Sequence, residues 1–186
     1  GPFMDEATYF AGGGAPLQEL KKSWGDILWR VDLAQQYRIQ LHDAVAGTML
    51  MDADYLYIPT GQSIGTQGLH NGQHPAFRAG PVGEVVLKDD KATEDRPNLL
   101  VVNKNTGQVV ARDGLNVPYV WHGQWSSPSM GVVDGRKLLF FGDGYGVLHA
   151  IEAYDPARGG RDGIVRLETA WSLDCVPERY RYDEKG

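Results

Sequence analysis

Three segments of the chain end on variants of one short phrase, and this repetition constrains the fold more than any other feature. The phrase reads ILWRVDL at 27–33, VVARDGL at 109–115 and TAWSLDC at 169–175. Each copy follows a turn-rich segment. Such self-similarity is typical of repeat architectures, in which every copy belongs to one supersecondary unit and neighbouring units share a core. We therefore expect a repeat fold, of which this chain holds only a few units.

The composition favours short strands and tight turns over helices. The 186 residues include 24 Gly and 10 Pro, and 10% of the residues are aromatic. Glycine and proline are the main turn residues, whereas aromatic residues are enriched in strands. The apolar content of 42% is sufficient for a real core.

The clearest unit lies in the last third of the chain. Alternating and apolar runs predict strands at 126–133, 137–141, 147–154 and 164–174, with turns at Asp134-Gly135 and at 142–144. Four short antiparallel strands joined by tight turns are the pattern of one propeller blade. The fold class predicted here is therefore all-β, with four-stranded antiparallel blades.

A second unit precedes this one, with strands predicted at 44–51, 55–59, 98–103 and 108–112. Its first hairpin turn, at Asp52, is equivalent to the turn at Asp134. The segment 61–95 is a long, irregular insertion. A further closing strand, from Trp24 to Val31, gives about two and a half blades over 24–176, after an irregular lead-in at 1–23 and before a charged tail at 177–186.

The segment 103–111, which reads NKNTGQVVA, resembles the pyrroloquinoline-quinone (PQQ) propeller repeat. In that repeat an Asp/Asn-x-x-Thr-Gly turn is followed four residues after the Gly by Trp. Ala111 stands at the Trp position here, whereas Trp29 and Trp171 retain it in the other units. The resemblance implies that Trp29 and Trp171 are blade-docking residues, because a large flat side chain packs one blade onto the next.

Three further segments look like those of the PQQ-binding-like propeller proteins of planctomycete-type bacteria. They are HGQWSSP at 122–128, FGDG at 141–144 and WSLDC at 171–175. Members of that group are usually exported, are related to the propeller of the outer-membrane β-barrel assembly lipoprotein, and mostly have no demonstrated enzymatic role. The resemblance therefore implies a non-catalytic scaffold for protein interaction or assembly, in the periplasm or elsewhere outside the cytoplasm, although the chain shows no signal peptide.

The same repeat also occurs in quinone-dependent alcohol dehydrogenases, which form the first alternative. Those enzymes bind PQQ beneath adjacent cysteines and beside a calcium ion held by Glu, Asn and Asp. This chain has a single cysteine, Cys175, and no segment that matches the calcium or catalytic motifs. We therefore expect no cofactor and no metal. A structural subunit of a larger redox or surface complex is a second alternative.

The histidines supply the remaining candidate sites. His70 and His74 have the four-residue spacing of zinc ligands on a helix, but Gly and Pro surround them and no third ligand accompanies them, which favours a partner-facing loop. His122 and Trp125 lie at the predicted entrance to a blade, where they pack between blades or face a ligand or partner. Ser126 and Ser127 lie on a predicted regular inner strand, so a hydrolase triad with His122 is not expected.

Charge and hydropathy exclude two classes of partner. The net charge of −6 is spread along the chain without a basic cluster, so nucleic-acid binding is not expected. No apolar run approaches the roughly 18 residues of a membrane span. The expected partner is protein, since two and a half blades leave open strand edges at both ends. That partner would be the rest of the same propeller, another copy or a larger complex.

Overall fold

The described residues form two largely antiparallel sheets and a separate hairpin. The computed structural model describes residues 27–37, 39, 47–62, 77–79, 85–87, 96–115, 124–158 and 163–177. The elements in chain order are a short helix α1 (Leu33–Tyr37) and the strands β1 (Leu50–Asp52), β2 (Tyr55–Pro59), β3 (Phe77–Ala79), β4 (Val85–Leu87), β5 (Leu99–Asn103), β6 (Val109–Arg112), β7 (Ser129–Val133), β8 (Arg136–Gly142), β9 (Val147–Glu152), β10 (Val165–Arg166) and β11 (Thr169–Asp174), with a 3-10 turn at Pro156–Arg158 before β10.

The first sheet has the strand order β1-β2-β5-β6-β10, and the second has the order β11-β9-β8-β7. Each contains a four-stranded antiparallel meander, β1-β2-β5-β6 in one and β7-β8-β9-β11 in the other. The hairpin β3-β4 lies between β2 and β5 in sequence and forms its own two-stranded sheet. The all-β class expected from the sequence is confirmed.

Two tight turns define the register of the first hairpin in each sheet. Val133 pairs with Arg136 across Asp134-Gly135, and both turn residues have positive φ, at 49° and 74°. Two positive φ angles are the signature of the type I′ turn, whose twist matches that of the flanking strands. In the first sheet Asp52 pairs with Tyr55, and Ala53 adopts a φ of 50°. The predicted hairpin turns at Asp52 and Asp134 are thus confirmed.

The core lies between the two sheets and takes residues from both. Tyr57, Leu99 and Val101 of the first sheet belong to one buried cluster with Leu139 and Phe141 of the second. Because side chains alternate along a strand, Leu100 and Val102 of β5 point away from this cluster. They are nevertheless fully buried, so the first sheet is covered on both faces at β5.

Tyr57 also joins the two sheets through its hydroxyl group. Its ring is completely buried, and its hydroxyl oxygen accepts a hydrogen bond of 3.0 Å from the backbone N–H of Tyr154, just beyond β9. The ring of Tyr154 packs edge-on against Tyr55, with centroids 4.9 Å apart. Burial is the main cause that raises the pKa of Tyr57 to about 12. On the exposed side, the Lys137 ammonium pairs with the Asp52 carboxylate across the same interface.

The strand predicted from Trp24 to Val31 is wrong for the part that the structure describes. Residues 27–32 have no regular secondary structure, and α1 begins at Leu33. The alternating apolar pattern in this segment is that of a strand, but a strand also requires a ladder partner. Instead the segment places Trp29 against a hairpin turn of the first sheet.

The single strand predicted at 164–174 is also wrong, because the structure divides it between the two sheets. β10 pairs in parallel with β6, with Val165 opposite Ala111, whereas β11 pairs antiparallel with β9. The division follows from Ala111, whose small side chain is fully buried in the core cluster alongside Val165 and Leu167. The strands predicted at 44–51 and 126–133 are shorter than expected, and the insertion at 61–95 contains the β3-β4 hairpin.

We predict that Tyr57→Phe lowers the free energy of unfolding at neutral pH by about 1–2 kcal/mol, because the partly buried N–H of Tyr154 loses its acceptor. The substitution also changes the alkaline stability. The folded-state pKa of about 12 exceeds the unfolded value of about 10, so wild-type stability is lost as the pH rises from 10 to 12. Urea unfolding between pH 7 and pH 12 measures both effects.

The difference between wild type and Tyr57→Phe isolates this residue from the other tyrosines. This difference in unfolding free energy should shrink by about 2–3 kcal/mol between pH 10 and pH 12, at 1.36 kcal/mol per pKa unit. It reverses sign if the hydroxyl group stabilises the fold by less than this amount at neutral pH. A constant difference across that interval would contradict the assignment of the raised pKa to Tyr57.

Candidate functional site: an exposed aromatic face

Trp29 lies against the turn between β5 and β6. Its indole Nε1–H donates a hydrogen bond of 2.7 Å to the carbonyl oxygen of Lys104. Its ring approaches Gly107 so closely that a Cβ added there would lie 2.6 Å from the Trp29 Cβ and Cγ. Gly107 has a φ of +74°, which favours glycine in its own right. The indole ring of Trp29 thus packs directly on the Asn-x-x-Thr-Gly turn.

The side chain of Asn103 stabilises the conformation of this turn. Its Oδ1 accepts from the backbone N–H groups of Asn105 and Thr106, at 2.9 and 3.2 Å. The N–H of Gly107 donates to the carbonyl oxygen of Asn103 at 2.8 Å. These bonds form a compact Asx-type turn that exposes the glycine backbone to the ring.

Trp171 occupies a different environment, on β11 at the edge of the second sheet. It is 43% exposed, and the neighbouring Leu173 on the same strand is 55% exposed. The ring of Trp171 lies 6.0 Å from that of Phe140, at an interplanar angle of 46°. Alternation places these three side chains on the face that points away from the shared core. We call this surface, formed by Phe140, Trp171 and Leu173, the outer face.

Of the remaining candidate residues from the sequence, the structure describes Trp125 and the two serines but not the three histidines. Trp125 is 53% exposed and lies just before β7. The three histidines His70, His74 and His122 lie outside the described residues. The Ser126 hydroxyl accepts from the N–H of Gly142 at 3.2 Å, and the Ser127 hydroxyl oxygen accepts from the N–H of Thr48 at 3.0 Å. Both serines therefore link neighbouring segments of backbone.

A buried polar network closes one end of the first sheet. The Asp113 carboxylate accepts from the backbone N–H groups of Asn98, Leu99 and Leu115 and from the Asn98 side chain, at 2.7–3.1 Å. The Asn98 Oδ1 in turn accepts from the side-chain amides of Gln62 and Gln124. The network joins the residues that follow β2 and β6 to the start of β5 and to Gln124, which precedes β7 in the chain. We interpret it as a structural clamp, because its groups bond mainly to one another, although the buried Oε1 of Gln124 has no hydrogen-bond partner among the described residues.

Burial governs the ionisation of Asp113, which is only 2% exposed. Desolvation raises the pKa of its carboxyl group, and the hydrogen bonds from Asn98, Leu99 and Leu115 oppose that effect. A raised folded-state pKa means that the stability contributed by this group is greatest at low pH. It is lost as the pH rises through the folded pKa.

Within the described residues, no group of three or more His, Cys, Asp or Glu side chains is arranged to hold a metal. The single cysteine, Cys175, is exposed beyond the end of β11, so the adjacent cysteines of the quinone enzymes have no counterpart. In the same parts of the chain, no helix is long and apolar enough to cross a membrane.

One side-chain relay escaped the sequence analysis. His149 on β9 lies between Ser172 on β11 and Asp143 in the turn before β9, with its two ring nitrogens 2.7 and 2.9 Å from their oxygens. The three residues are scattered in sequence, and only the cross-strand pairing of Ser172 with His149 brings them together. The spacing of Asp143 and His149 around a hairpin turn was the one available signal.

Comparison with known proteins adds no relative to this picture. No family model matches the chain, and neither a curated protein nor a solved structure matches it.

The contact of Trp29 with Gly107 can be tested with a matched pair of glycines. Gly107 and Gly135 both have a φ of +74°, but a Cβ at Gly135 would meet nothing within 4 Å. Both alanine variants should lose about 1–2 kcal/mol from the left-handed backbone. Gly107→Ala should lose about 1–3 kcal/mol more, because the methyl group overlaps the indole. Chemical denaturation of the two variants measures the difference.

A double-mutant cycle assigns that excess to the indole. In a Trp29→Ala background, the cost of Gly107→Ala should fall to that of Gly135→Ala. Equal losses of unfolding free energy for Gly107→Ala and Gly135→Ala in the wild-type background would show that Trp29 does not pack against Gly107.

For Asp113 we predict that the stability of the wild type relative to Asp113→Asn falls as the pH rises above about 4, the ordinary pKa of an aspartate. Desolvation raises the pKa of the buried carboxyl group, so its ionisation costs free energy in the folded protein, whereas the amide does not titrate. At pH 7 the variant should still be less stable by about 1–3 kcal/mol, since its NH₂ group faces buried donors. Urea unfolding at several pH values measures the trend. If the stability of the wild type relative to Asp113→Asn instead increased with pH, that result would contradict the raised pKa of Asp113.

Proposed function

We propose that this chain is part of a PQQ-like β-propeller that acts as a scaffold for protein assembly, in which each four-stranded meander is one blade. The observation that carries the proposal is the contrast between the two tryptophans of the repeat phrase. Trp29 lies on the Thr-Gly turn of the first sheet, with its Nε1–H bonded to Lys104. Trp171, at the equivalent place in the phrase, is exposed on the outer face.

Two further features support this interpretation. The meanders share one buried core, as neighbouring blades of a repeat protein do. The outer face presents an aromatic ring beside Leu173, and clusters of exposed apolar residues mark interaction sites more often than single residues do. On this proposal the outer face binds protein, either the next blade of the same propeller, another copy or a larger complex. The resemblance of the repeat to exported propeller proteins favours a location outside the cytoplasm.

The proposal predicts that the isolated chain self-associates through its outer face. Trp171→Ala should weaken association about 10- to 100-fold, the effect expected for a central aromatic anchor. Trp125→Ala is the matched control, because Trp125 is also exposed but lies outside this face. Light scattering over a range of concentrations, together with thermal melting, measures the effect.

A wild-type chain that stays monomeric at every concentration and melts cooperatively would contradict the scaffold proposal. So would equal effects of Trp171→Ala and Trp125→Ala.

The quinoprotein alternative has its own test. Addition of PQQ and Ca²⁺ should produce neither ligand absorbance nor dye-linked alcohol oxidation if the chain is a scaffold. Saturable PQQ absorbance together with alcohol oxidation would favour the dehydrogenase instead. The second alternative, a structural subunit of a redox or surface complex, predicts that the native protein purifies only with that complex.

A further inference from the structure

The relay formed by Ser172, His149 and Asp143 has the hydrogen-bond order of a nucleophile, a base and an orienting carboxylate. The His149 Nδ1 lies 2.7 Å from the Ser172 hydroxyl oxygen, and its Nε2 lies 2.9 Å from the Asp143 Oδ2. The side chains of His149 and Asp143 are 9% and 4% exposed, whereas Ser172 is exposed. A buried dyad thus faces an accessible hydroxyl group.

The turn before β9 holds the Asp143 carboxylate in place. Its other oxygen, Oδ1, accepts from the backbone N–H groups of Tyr145 and Val147, at 2.8 and 2.9 Å. An ionised carboxylate only accepts hydrogen bonds. A neutral imidazole beside an ionised Asp143 therefore carries its proton on Nε2, which donates to the carboxylate. This tautomer leaves the lone pair of Nδ1 directed at the Ser172 hydroxyl group.

The strand register makes Ser172 accessible from the edge of the sheet, which β11 forms among the described residues. The N–H of Cys175 donates to the carbonyl oxygen of Gly146, and hydrogen-bonded pairs alternate along an antiparallel ladder. Ser172 and His149, three positions further along, therefore form a non-hydrogen-bonded pair, whose side chains approach most closely. The backbone N–H of Ser172 points away from β9 and can donate to an oxyanion. This edge position differs from that of a serine on an inner strand.

We propose that Ser172 is an acyl-accepting nucleophile, with His149 as its general base and Asp143 as the residue that positions His149. The substrate class is a carboxylic ester that reaches the open edge of β11. This activity goes beyond the scaffold role and is compatible with it. Trp171 and Ser172 are adjacent on a strand, so they point to opposite faces. A protein bound to the outer face leaves the relay uncovered.

The reaction follows from the proton positions. The Ser172 Oγ attacks the ester carbonyl carbon while its proton moves to the His149 Nδ1, and the Ser172 N–H donates to the developing oxyanion. The C–O bond to the leaving alcohol then breaks, and the alcohol takes the proton from His149. Water hydrolyses the resulting acyl ester of Ser172, with His149 again accepting and returning a proton, and releases the carboxylic acid.

The described residues supply one backbone donor to the oxyanion, and this number sets the expected efficiency. Loss of one oxyanion donor costs serine hydrolases about 100- to 1,000-fold in rate, so acylation should be slow. Covalent labelling of Ser172 is for this reason a sharper test than turnover. A fluorophosphonate probe, which phosphonylates activated serines, should modify Ser172, and p-nitrophenyl acetate should give a burst of p-nitrophenol of up to one equivalent.

Asp143→Asn is the decisive variant, because it preserves the turn. The asparagine Oδ1 still accepts from Tyr145 and Val147, whereas its NH₂ group donates to the His149 Nε2. The ring proton then moves to Nδ1, which can no longer accept from Ser172. Labelling should fall about 100- to 10,000-fold, the range that spans loss of a general base and reversal of the tautomer. The melting temperature should change little.

Two serine variants complete the experiment. Ser172→Ala should abolish labelling, and Ser129→Ala should leave it unchanged, since Ser129 is an exposed serine on β7 at the other edge of the same sheet. Mass spectrometry of the labelled peptide locates the adduct. No labelling of the wild type would overturn the proposal. So would labelling of Ser129 at the same rate as Ser172, or labelling of Ser172 that Asp143→Asn leaves unchanged.

Discussion

The shared apolar core between the two sheets is the constraint on which the rest of the structure depends. Each meander has one face that is too apolar to remain in water, and the two faces cover one another through Tyr57, Leu139 and Phe141. Burial of side chains of this size stabilises a fold by about 1.5–3 kcal/mol each. Tyr57 adds direction to that attraction, because its hydroxyl group has a partner only when the second sheet lies where it does.

Once the core is fixed, the two sheets differ in how their other surfaces are completed. The first sheet receives β10 alongside β6, and Trp29 covers its hairpin turn. The second sheet has no equivalent cover among the described residues, since β11 is its outermost strand and Trp171 and Leu173 are exposed beside it. The proposed docking surface is therefore the part of the second sheet that no described residue covers in the way that Trp29 covers the first sheet. The Ser172 relay lies on the opposite side of the same strand.

The sequence predicted those features that depend on local chemistry. The Asp134-Gly135 turn follows from residues that tolerate positive φ, and the β5-β6 hairpin follows from its Asn-x-x-Thr-Gly turn. The prediction failed where the outcome depends on a partner distant in sequence. Residues 27–32 alternate like a strand but have no ladder. The segment predicted as one strand at 164–174 divides, because the edge of β6 at Ala111 accepts its first part.

The candidate sites show the same limit. Trp29 and Trp171 were identifiable from the repeat phrase, but the phrase does not reveal that one is seated on Gly107 and the other is exposed. Ser172 and His149 lie 23 residues apart, and no local pattern connects them. Their proximity is a consequence of the register between β9 and β11, which is set by the hairpin turn and by the core face of the sheet.

We propose that protein covers the outer face of the second sheet in the native state. The mass of the native particle, combined with hydroxyl-radical footprinting of Trp171 in that particle, tests this proposal. We expect a particle heavier than the 20.5 kDa of this chain, in which Trp171 is protected and Trp125 serves as the internal reference. A native particle of 20.5 kDa whose Trp171 is oxidised as readily as Trp125 would contradict it.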